Sequence, residues 1–267
     1  MELQIIETPG LNAWWLSPPG QYLLDWQQTQ FDRVVGDVFG YHALQLGLSG
    51  IPALQSSRIR HCWVSENQPT KGAVPSLLTD DVALPFSEQS LDLVVMPHTL
   101  ELSRDPHSCL REVARVLVPD GRVVICGFNP LSLWGLRQQR AKAYARLGWQ
   151  APFLPPQVDF LASWRLRDWL RLLSFDIEGG CFGAYRPSFE SDKWLQRFAW
   201  MDKAGDRWWP ILGAVYFLAA VKRVRGMRLL QPVWKRGKAH SASAVPSVNS
   251  GKSTAPTSMR SHPDDTA

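Results

Sequence analysis

The sequence predicts a single doubly wound α/β domain followed by a tail, and two features carry this prediction. Its apolar runs are short and continuous rather than alternating, as in strands that are buried on both faces of a parallel sheet. Segments with helical periodicity separate these runs, and such an alternation is typical of a doubly wound fold. A chain of 267 residues with 45% hydrophobic residues is long enough for one such domain.

The predicted strands are five apolar runs, and in chain order they are residues 34–35, 59–64, 91–96, 123–126 and 211–221. The last run is shorter than the roughly 20 residues that a helix needs to cross a bilayer. We therefore expect it to be a strand of the sheet and predict no transmembrane segment.

Two helices are predicted, at residues 106–118 and 163–173, because apolar residues recur there about every 3.6 positions. Asp105 is placed to cap the first helix, and Pro106 suits its first turn. The sequence Pro119-Asp120-Gly121 is expected to end this helix and turn the chain into the next strand.

Charge and composition set the C-terminal part of the chain apart. The net charge is +5, but residues 222–267 carry nine Lys and Arg against two Asp, which leaves −2 for residues 1–221. A basic groove for nucleic acid is therefore not expected in the body of the protein. Residues 239–267 are rich in Ser, Thr, Pro and Ala without periodicity, so we predict that they are disordered.

The spacing of the cysteines and the N-terminal sequence both help to predict the cellular compartment of the protein. The four cysteines are far apart and show neither the spacing of a metal site nor that of a disulfide framework. The N-terminus has no basic region followed by an apolar run, so no signal peptide is expected. We predict a cytoplasmic protein without a metal site.

Residues 80–125 carry the most informative pattern. The stretch opens with Asp80-Asp81-Val82-Ala83-Leu84-Pro85-Phe86 and continues through Leu91-Asp92-Leu93-Val94-Val95 and His98-Thr99-Leu100-Glu101. It ends with Arg115-Val116-Leu117-Val118-Pro119-Asp120-Gly121 before another strand. This pattern closely resembles the second half of class I S-adenosylmethionine-dependent methyltransferases, specifically the type 11 group with small-molecule acceptors. The spacing is intact across two strands and a helix, which makes the resemblance specific.

The resemblance implies a Rossmann-like, seven-stranded, mostly parallel sheet in which residues 211–221 form the antiparallel strand. It assigns residues 1–238 to a methyltransferase-like domain, including an N-terminal segment that covers the cofactor cleft. It also implies S-adenosylmethionine as the cofactor and a small molecule as the methyl acceptor, whose identity cannot be read from the chain.

Asp80 is the first candidate for cofactor binding. Open parallel sheets bind ligands at the carboxyl ends of their strands, where a carboxylate can accept a hydrogen bond from the adenine amine. The backbone of the following Asp81 and Val82 can serve a ring nitrogen. The alternative is that Asp80 and Asp81 form a turn or a helix cap. Asp92 is instead expected to hold neighbouring backbone.

Three further residues complete the candidate site. Met96 and His98 follow the next strand and are expected to line the methionine part of the pocket and the acceptor mouth. His98 is a candidate base because imidazole titrates near neutral pH, although a histidine that packs a loop is the commoner case. Glu66 is the candidate for the ribose hydroxyls, one residue later than in relatives.

The first motif of the family is degenerate in this chain. Relatives have an apolar strand, an acidic residue and a Gly-x-Gly-x-Gly turn, whose bare backbone approaches the cofactor. The corresponding run is predicted at residues 34–42, where Gly36 and Gly40 match the outer glycines. Val38 replaces the middle glycine, and Asp37 is a substitute for the acid.

This degeneracy leaves two alternatives to an active methyltransferase. The first is a catalytically impaired protein of the same fold that serves as a binding or scaffold protein. The second is a nicotinamide-dependent oxidoreductase, whose fold also uses glycine turns, but residues 80–125 argue against it.

A group of tryptophans near the C-terminus allows two interpretations. Trp194, Trp200, Trp208 and Trp209 precede the last apolar run and a basic segment, which is compatible with weak peripheral membrane contact. The favoured interpretation is a helix that leads into the final strand.

Overall fold

The computed structural model describes residues 14–67, 75–146, 154, 158–189 and 191–223. Its described strands form one seven-stranded sheet in the order β3-β2-β1-β4-β5-β7-β6. The strands are β1 (His42–Leu46), β2 (His61–Glu66), β3 (Leu77–Leu78), β4 (Leu91–Pro97), β5 (Leu117–Phe128), β6 (Phe175–Gly183) and β7 (Val215–Lys222).

The sheet is mostly parallel, as predicted. Strands β1 to β5 pair in parallel, whereas β7 lies between β5 and β6 and runs antiparallel to both. The predicted last strand is confirmed, but it begins at Val215 because Pro210–Leu212 form a turn of 3-10 helix. The Rossmann-like fold class is therefore confirmed.

Helices precede, connect and follow the strands. They are α1 (Pro18–Val35), α2 (Thr99–Leu102), α3 (Pro106–Val116), α4 (Leu133–Arg146), α5 (Ser163–Leu172), α6 (Asp192–Arg197) and α7 (Trp200–Trp208). None of these described helices is long and apolar enough to span a bilayer.

Two apolar cores cover the two faces of the sheet. Alternate residues of β4 point into different cores, since Leu93 and Val95 pack with α1 whereas Val94 and Met96 pack with α3 and α5. This two-sided burial explains why the strands read as continuous apolar runs in the sequence.

Helix α3 begins as predicted and ends slightly earlier. The Asp105 side chain accepts hydrogen bonds from the backbone N–H groups of His107 and Ser108, both at 3.1 Å, so the predicted cap is confirmed. The helix ends at Val116 rather than at residue 118, because Leu117 already pairs with Leu91 of β4.

The prediction for residues 34–42 is wrong. Residues 34–35 are the last residues of α1 and not a strand. The sequence Ser17-Pro18-Pro19 starts this helix, since the Ser17 hydroxyl accepts a hydrogen bond from the Gly20 N–H. Leu23, Phe31 and Val35 then form its buried face. The first strand is instead β1.

Gly36, Asp37 and Gly40 consequently lie at the amino end of β1, away from the sheet edge at which this fold class binds ligands. A Cβ atom at Gly40 would lie 2.4 Å from the Cβ atom of Asp92, so the glycine permits a close packing contact. Asp92 Oδ2 accepts hydrogen bonds from the N–H groups of Tyr41 at 2.7 Å and His42 at 2.9 Å. The predicted backbone-holding role of Asp92 is confirmed.

The tail lies outside the described residues. The predicted domain boundary at residue 238 and the predicted disorder of residues 239–267 both fall beyond residue 223. Both stay predictions.

Candidate functional site

Parallel strands end at a common edge, so the turns after β1, β2 and β4 come together. The turn after β1 begins with Gly47, which has a φ of 72° that favours glycine. A Cβ atom at Gly47 would lie 3.4 Å from Oγ1 of Thr99, the residue that begins α2. The Thr99 hydroxyl donates a hydrogen bond of 2.5 Å to the Leu46 carbonyl, which ties the turn to the end of β4.

A buried amide shapes this turn from within the strand. Gln45 lies inside β1, and its side-chain N–H groups donate to the carbonyls of Leu48 at 3.1 Å and Ile51 at 2.7 Å. These bonds add to the backbone hydrogen bonds that the same carbonyls accept from Ile51 and Ala53, and they hold the turn against the strand.

Glu66 is the last residue of β2 and faces the same turn. Its Oε1 accepts hydrogen bonds from Ser49, at 2.8 Å from the N–H and at 2.5 Å from the hydroxyl. Its Oε2 is buried and has no hydrogen-bond partner in the part of the chain that the structure describes. One carboxylate oxygen is thus held in place while the other can accept a ligand donor.

Asp81 repeats this arrangement beside Glu66. It is buried, and its Oδ1 accepts a hydrogen bond of 3.1 Å from the side chain of Asn67, which directly follows Glu66. Its Oδ2 is buried without a partner among the described residues. An unpaired buried oxygen costs roughly 1–3 kcal/mol or more, so these two oxygens, on residues connected through Asn67, indicate a place for ligand donors.

Asp80 lies outside this arrangement. Its side chain is exposed, and its Oδ1 accepts a hydrogen bond from the Val82 N–H at 3.2 Å. It therefore forms the turn that the sequence offered as the alternative. Val82 is half-buried and packs into the core beneath.

His98 lies at the end of β4 with a positive φ of 54° and is almost wholly buried. Its Nδ1 is 2.8 Å from Oε2 of Glu101, and its Nε2 is 2.7 Å from Nε2 of Gln27 on α1. The ring contacts both Trp15 and Phe128, at centroid distances of 5.3 Å and 4.3 Å, and these two rings also contact each other at 6.3 Å.

Glu101 is the carboxylate of this buried cluster. Its Oε1 accepts a hydrogen bond from the Phe128 N–H, while Oε2 faces His98. Burial raises the pKa of Glu101, although His98 and the Phe128 N–H favour the ionised form and act in the opposite direction.

The structure brings together four of the predicted site residues at the carboxyl edge, namely Glu66, Asp81, Met96 and His98. Sequence reasoning missed other residues at this edge, which are Gln27, Gln45, Gly47, Ser49 and Glu101. The apolar run 43–46 followed by Gly47-Leu48-Ser49-Gly50 is a strand-to-turn signal, and the His-x-x-Glu spacing of His98 and Glu101 places the two one helical turn apart.

No group of three or more His, Cys, Asp or Glu side chains could hold a metal ion within the described ranges.

Residues 56–125, which include Glu66, Asp81 and His98, match the model of a methyltransferase domain. The fold also resembles that of an S-adenosylmethionine-dependent methyltransferase from Thermotoga maritima with a TM-score of 0.56, over 79% of this chain and 94% of that one, at 15% identity. In residues 56–125 and in its fold, the chain is similar to class I methyltransferases. A methyltransferase of this family is expected to use S-adenosylmethionine.

Other relatives are more limited in extent. The protein YafS of Escherichia coli is 32% identical over 167 residues, which cover 62% of this chain and 65% of YafS. A demethylmenaquinone methyltransferase of Streptomyces griseus is 34% identical over 76 residues, 28% of this chain and 29% of that enzyme. These matches cover less than two thirds of either relative.

A second structural neighbour comes from a complex with the Trm112 methyltransferase activator of Haloferax volcanii. It aligns with a TM-score of 0.55 over 78% of this chain and 94% of that one, at 16% identity. At this identity the likeness concerns the fold alone.

The first motif is degenerate in this chain, as the sequence indicated, but it lies at a different place. Counted from Gly47, the second and third glycines of a Gly-x-Gly-x-Gly turn would stand where the chain has Ser49 and Ile51. Ser49 is used instead to hold Glu66, and Ile51 is buried in the core.

Proposed function

We propose that the protein binds S-adenosylmethionine at the carboxyl edge of its sheet and transfers the methyl group to a small-molecule acceptor. The observation that carries this proposal is the pair Glu66 and Asp81, each buried with one unpartnered oxygen beside the turn after β1. Two carboxylates with free acceptor atoms suit a ligand that offers a ribose diol and an exocyclic amine.

Each residue has a proposed role at this edge. Glu66 Oε2 accepts from the ribose hydroxyls, and Asp81 Oδ2 accepts from the adenine amine. Gly47 allows the backbone to approach the cofactor closely, and Met96 supplies an apolar wall. When bound, S-adenosylmethionine supplies an activated methyl group, so the protein's main tasks are to position the acceptor and to exclude water.

Calorimetric titration with S-adenosylhomocysteine tests the site. Glu66→Gln and Asp81→Asn each remove a charged acceptor, and such a hydrogen bond contributes about 1.5–3 kcal/mol. We therefore expect the Kd to rise about tenfold or more in either variant. Asp80→Asn is the matched control, because Asp80 is exposed and makes only a local turn, and its Kd should stay close to that of the original protein.

Two outcomes of this titration would contradict the proposed site. One is the absence of heat with millimolar S-adenosylhomocysteine in the unsubstituted protein. The other is a larger loss in Asp80→Asn than in Asp81→Asn.

A catalytically impaired binding protein of the same fold is the second candidate, and the replacement of two motif glycines by Ser49 and Ile51 favours it. It differs from the first candidate in turnover alone. Binding of S-adenosylmethionine without methyl transfer to any compound of a broad acceptor panel would support it.

The cytoplasm is the proposed location of the reaction. All four cysteines are free thiols, and reducing compartments keep thiols in this form. The proposed acceptor is a small molecule rather than a nucleic acid, since residues 1–221 carry a slight negative charge.

Peripheral membrane contact is proposed for the outward face of α7. Trp200, Lys203, Arg207 and Trp208 lie on one side of this helix and are exposed. Its two acidic residues have partners in the protein, since Asp202 bonds to Arg186 at 2.8 Å and Asp206 forms a side-chain hydrogen bond with Tyr185. Tryptophans that alternate with cations suit the interface of an anionic lipid bilayer.

A further inference from the structure

We propose that His98 and Glu101 form a proton-accepting pair, and that the methyl acceptor is therefore a hydroxyl compound of the phenol or enol class. This inference rests on the proposed function and extends it to the class of acceptor. An amine or thiolate nucleophile needs little help from a base, whereas a hydroxyl must lose its proton as it is methylated.

The position of His98 is the first step of the argument. It follows β4 at the carboxyl edge, with its N–H bonded to the Cys126 carbonyl at 2.8 Å. Its φ of 54° is uncommon for a residue other than glycine, and such a conformation persists only where the surroundings hold it. The imidazole is thereby fixed at the sheet edge where the cofactor is proposed to bind.

Glu101 determines which ring nitrogen can accept a proton. Its Oε1 is occupied by the Phe128 N–H, so Oε2, 2.8 Å from His98 Nδ1, is the oxygen that meets the ring. An ionised Glu101 stabilises the tautomer that carries hydrogen on Nδ1. The lone pair is then on Nε2, and the carboxylate stabilises the imidazolium that forms when Nε2 takes a proton.

Gln27 faces this nitrogen from the covering helix α1. Its amide Nε2 is 2.7 Å from His98 Nε2 and donates to it, while its Oε1 is buried without a partner among the described residues. An entering hydroxyl that donates to His98 can take the place of this N–H. A turn of the amide would then present Oε1 to the imidazolium, so that Gln27 can serve both protonation states.

Among the described residues around the His98 ring, Glu101 is the charged group in contact with it. Tyr216 of β7 and Cys126 of β5 also face Glu101, and burial raises the pKa of both groups, which keeps them neutral. Trp15 and Phe128 cover the ring and exclude water. A charge-stabilised base in an apolar enclosure is the arrangement that proton abstraction requires.

The proposed step balances without a further reactant. The hydroxyl oxygen bonds to the methyl carbon while its proton passes to His98 Nε2. The carbon–sulfur bond breaks and its electron pair stays on sulfur, which gives S-adenosylhomocysteine and a methyl ether. The proton on His98 then leaves to water when the products depart.

A chromogenic phenol, 4-nitrophenol, tests the base without the cofactor and without turnover. The absorbance of its ionised form is recorded with the full chain at a pH where the free probe is mostly protonated. We expect the ionised fraction of the bound probe to exceed that of the free probe about threefold or more. The His98 imidazolium stabilises the phenolate of the probe, and the Glu101 carboxylate stabilises the imidazolium. His98→Gln should abolish this excess.

The variant Glu101→Gln distinguishes a role of Glu101 in proton acceptance by His98 from a role in packing alone. The amide keeps an acceptor for the Phe128 N–H but removes the negative charge, so we expect the probe to bind with its ionised fraction reduced to that of the free compound. Nitrogen-15 NMR of the unsubstituted protein should show hydrogen on Nδ1 of His98 and none on Nε2.

Three results would overturn the proposal: no spectral change at millimolar probe, an unchanged excess in His98→Gln, or hydrogen on Nε2 of His98. Because the probe titration omits the cofactor, failure of this proposal is distinguishable from failure of S-adenosylhomocysteine binding at Glu66 and Asp81.

Discussion

Two glutamates in this protein have pKa values that burial and charge shift in opposite directions. Burial raises the pKa of Glu101, which lies inside the protein against His98. The pKa of Glu112, on the more exposed side of α3, is lowered first by its hydrogen bonds with Arg115, the closest of which is 2.8 Å. At the residue scale, the two carboxyl groups should therefore affect stability with opposite pH dependence.

The free energy of unfolding should depend on pH in opposite ways through Glu101 and Glu112. A raised pKa means that the folded state binds the Glu101 proton more tightly, so its contribution is present below the unfolded value of about 4.3 and is lost as pH rises through the folded pKa. Glu101→Gln removes this dependence. We expect the free energy of unfolding of the variant, relative to the original protein, to increase between about pH 4 and neutrality, as measured by urea denaturation.

Glu112→Gln is the matched control for this measurement. Its lowered pKa gives a contribution that is present above the unfolded value and is lost as pH falls through the folded pKa. The variant should therefore become less stable relative to the original protein as pH rises from acid. Equal slopes for the two variants would show that burial does not dominate at Glu101.

Adjacent aspartates show what a residue pattern can and cannot predict. The resemblance predicts a ligand-facing acid at Asp80, whereas the structure leaves Asp80 in a turn and buries Asp81 instead. Which of the two aspartates is held inside depends on the partner that its side chain finds. For Asp81 this partner is Asn67, the residue that follows β2. That contact joins residues that are distant in sequence, so local spacing could not reveal it.

At the element scale, the strands in the middle of the sheet were predictable because both of their faces are apolar. Strand β1 was missed because Gln45 interrupts its apolar run, and the amide is tolerated inside the core since it bonds to the turn that follows. Helix α1 was not predicted, and its last residues, 34–35, look like a strand when they are read alone. The cap and the apolar positions of residues 17–35 predict the helix once they are read together.

Gly40 was predicted to bind the cofactor but lies in the loop before β1, so its substitution should affect stability rather than binding. Gly40→Ala would set a Cβ atom 2.4 Å from the Cβ of Asp92 and 2.8 Å from its Oδ2, and Asp92 would have to release the N–H groups of Tyr41 and His42. We expect a loss of about 1–3 kcal/mol in the free energy of unfolding, as for other overpacked sites. Binding of S-adenosylhomocysteine by the folded variant should not change.

Gly50→Ala is the control for this substitution, because nothing lies within 4 Å of the added Cβ atom. Its effect on stability should be near zero or slightly favourable, since alanine restricts the unfolded chain. If Gly40→Ala weakened cofactor binding while leaving stability intact, Gly40 would belong to the binding site after all.

At the scale of the whole molecule, the carboxyl edge of the sheet lies close to an unusually apolar stretch of surface. Asn129, directly after β5, donates hydrogen bonds to the carbonyls of Ile211 at 2.7 Å and Gly213 at 2.9 Å. These bonds fix the segment that follows α7 against the edge where an acceptor would enter. Ile211 and Leu212 are both exposed there.

The outward face of α7 continues this apolar surface. Trp200 and Trp208 are 59% and 74% exposed, which is unusual for two indoles on a single helix. Asp202 bonds inward to Arg186 at 2.8 Å, and a side-chain hydrogen bond joins Asp206 to Tyr185. With its acids engaged in this way, the face presents Lys203 and Arg207 together with the two tryptophans, a composition that complements anionic lipid headgroups.

Cosedimentation with lipid vesicles decides whether this face meets a membrane. We expect the protein to bind vesicles that contain anionic phosphatidylglycerol and to be released by high salt, because surface charges are screened. The double variant Trp200→Ser/Trp208→Ser should bind about tenfold or more weakly. Trp164→Ser, a tryptophan with similar exposure on α5, is the control and should bind like the original protein. If the double variant bound vesicles normally but lost self-association in sedimentation velocity, the face would contact a second copy of the chain instead of a bilayer.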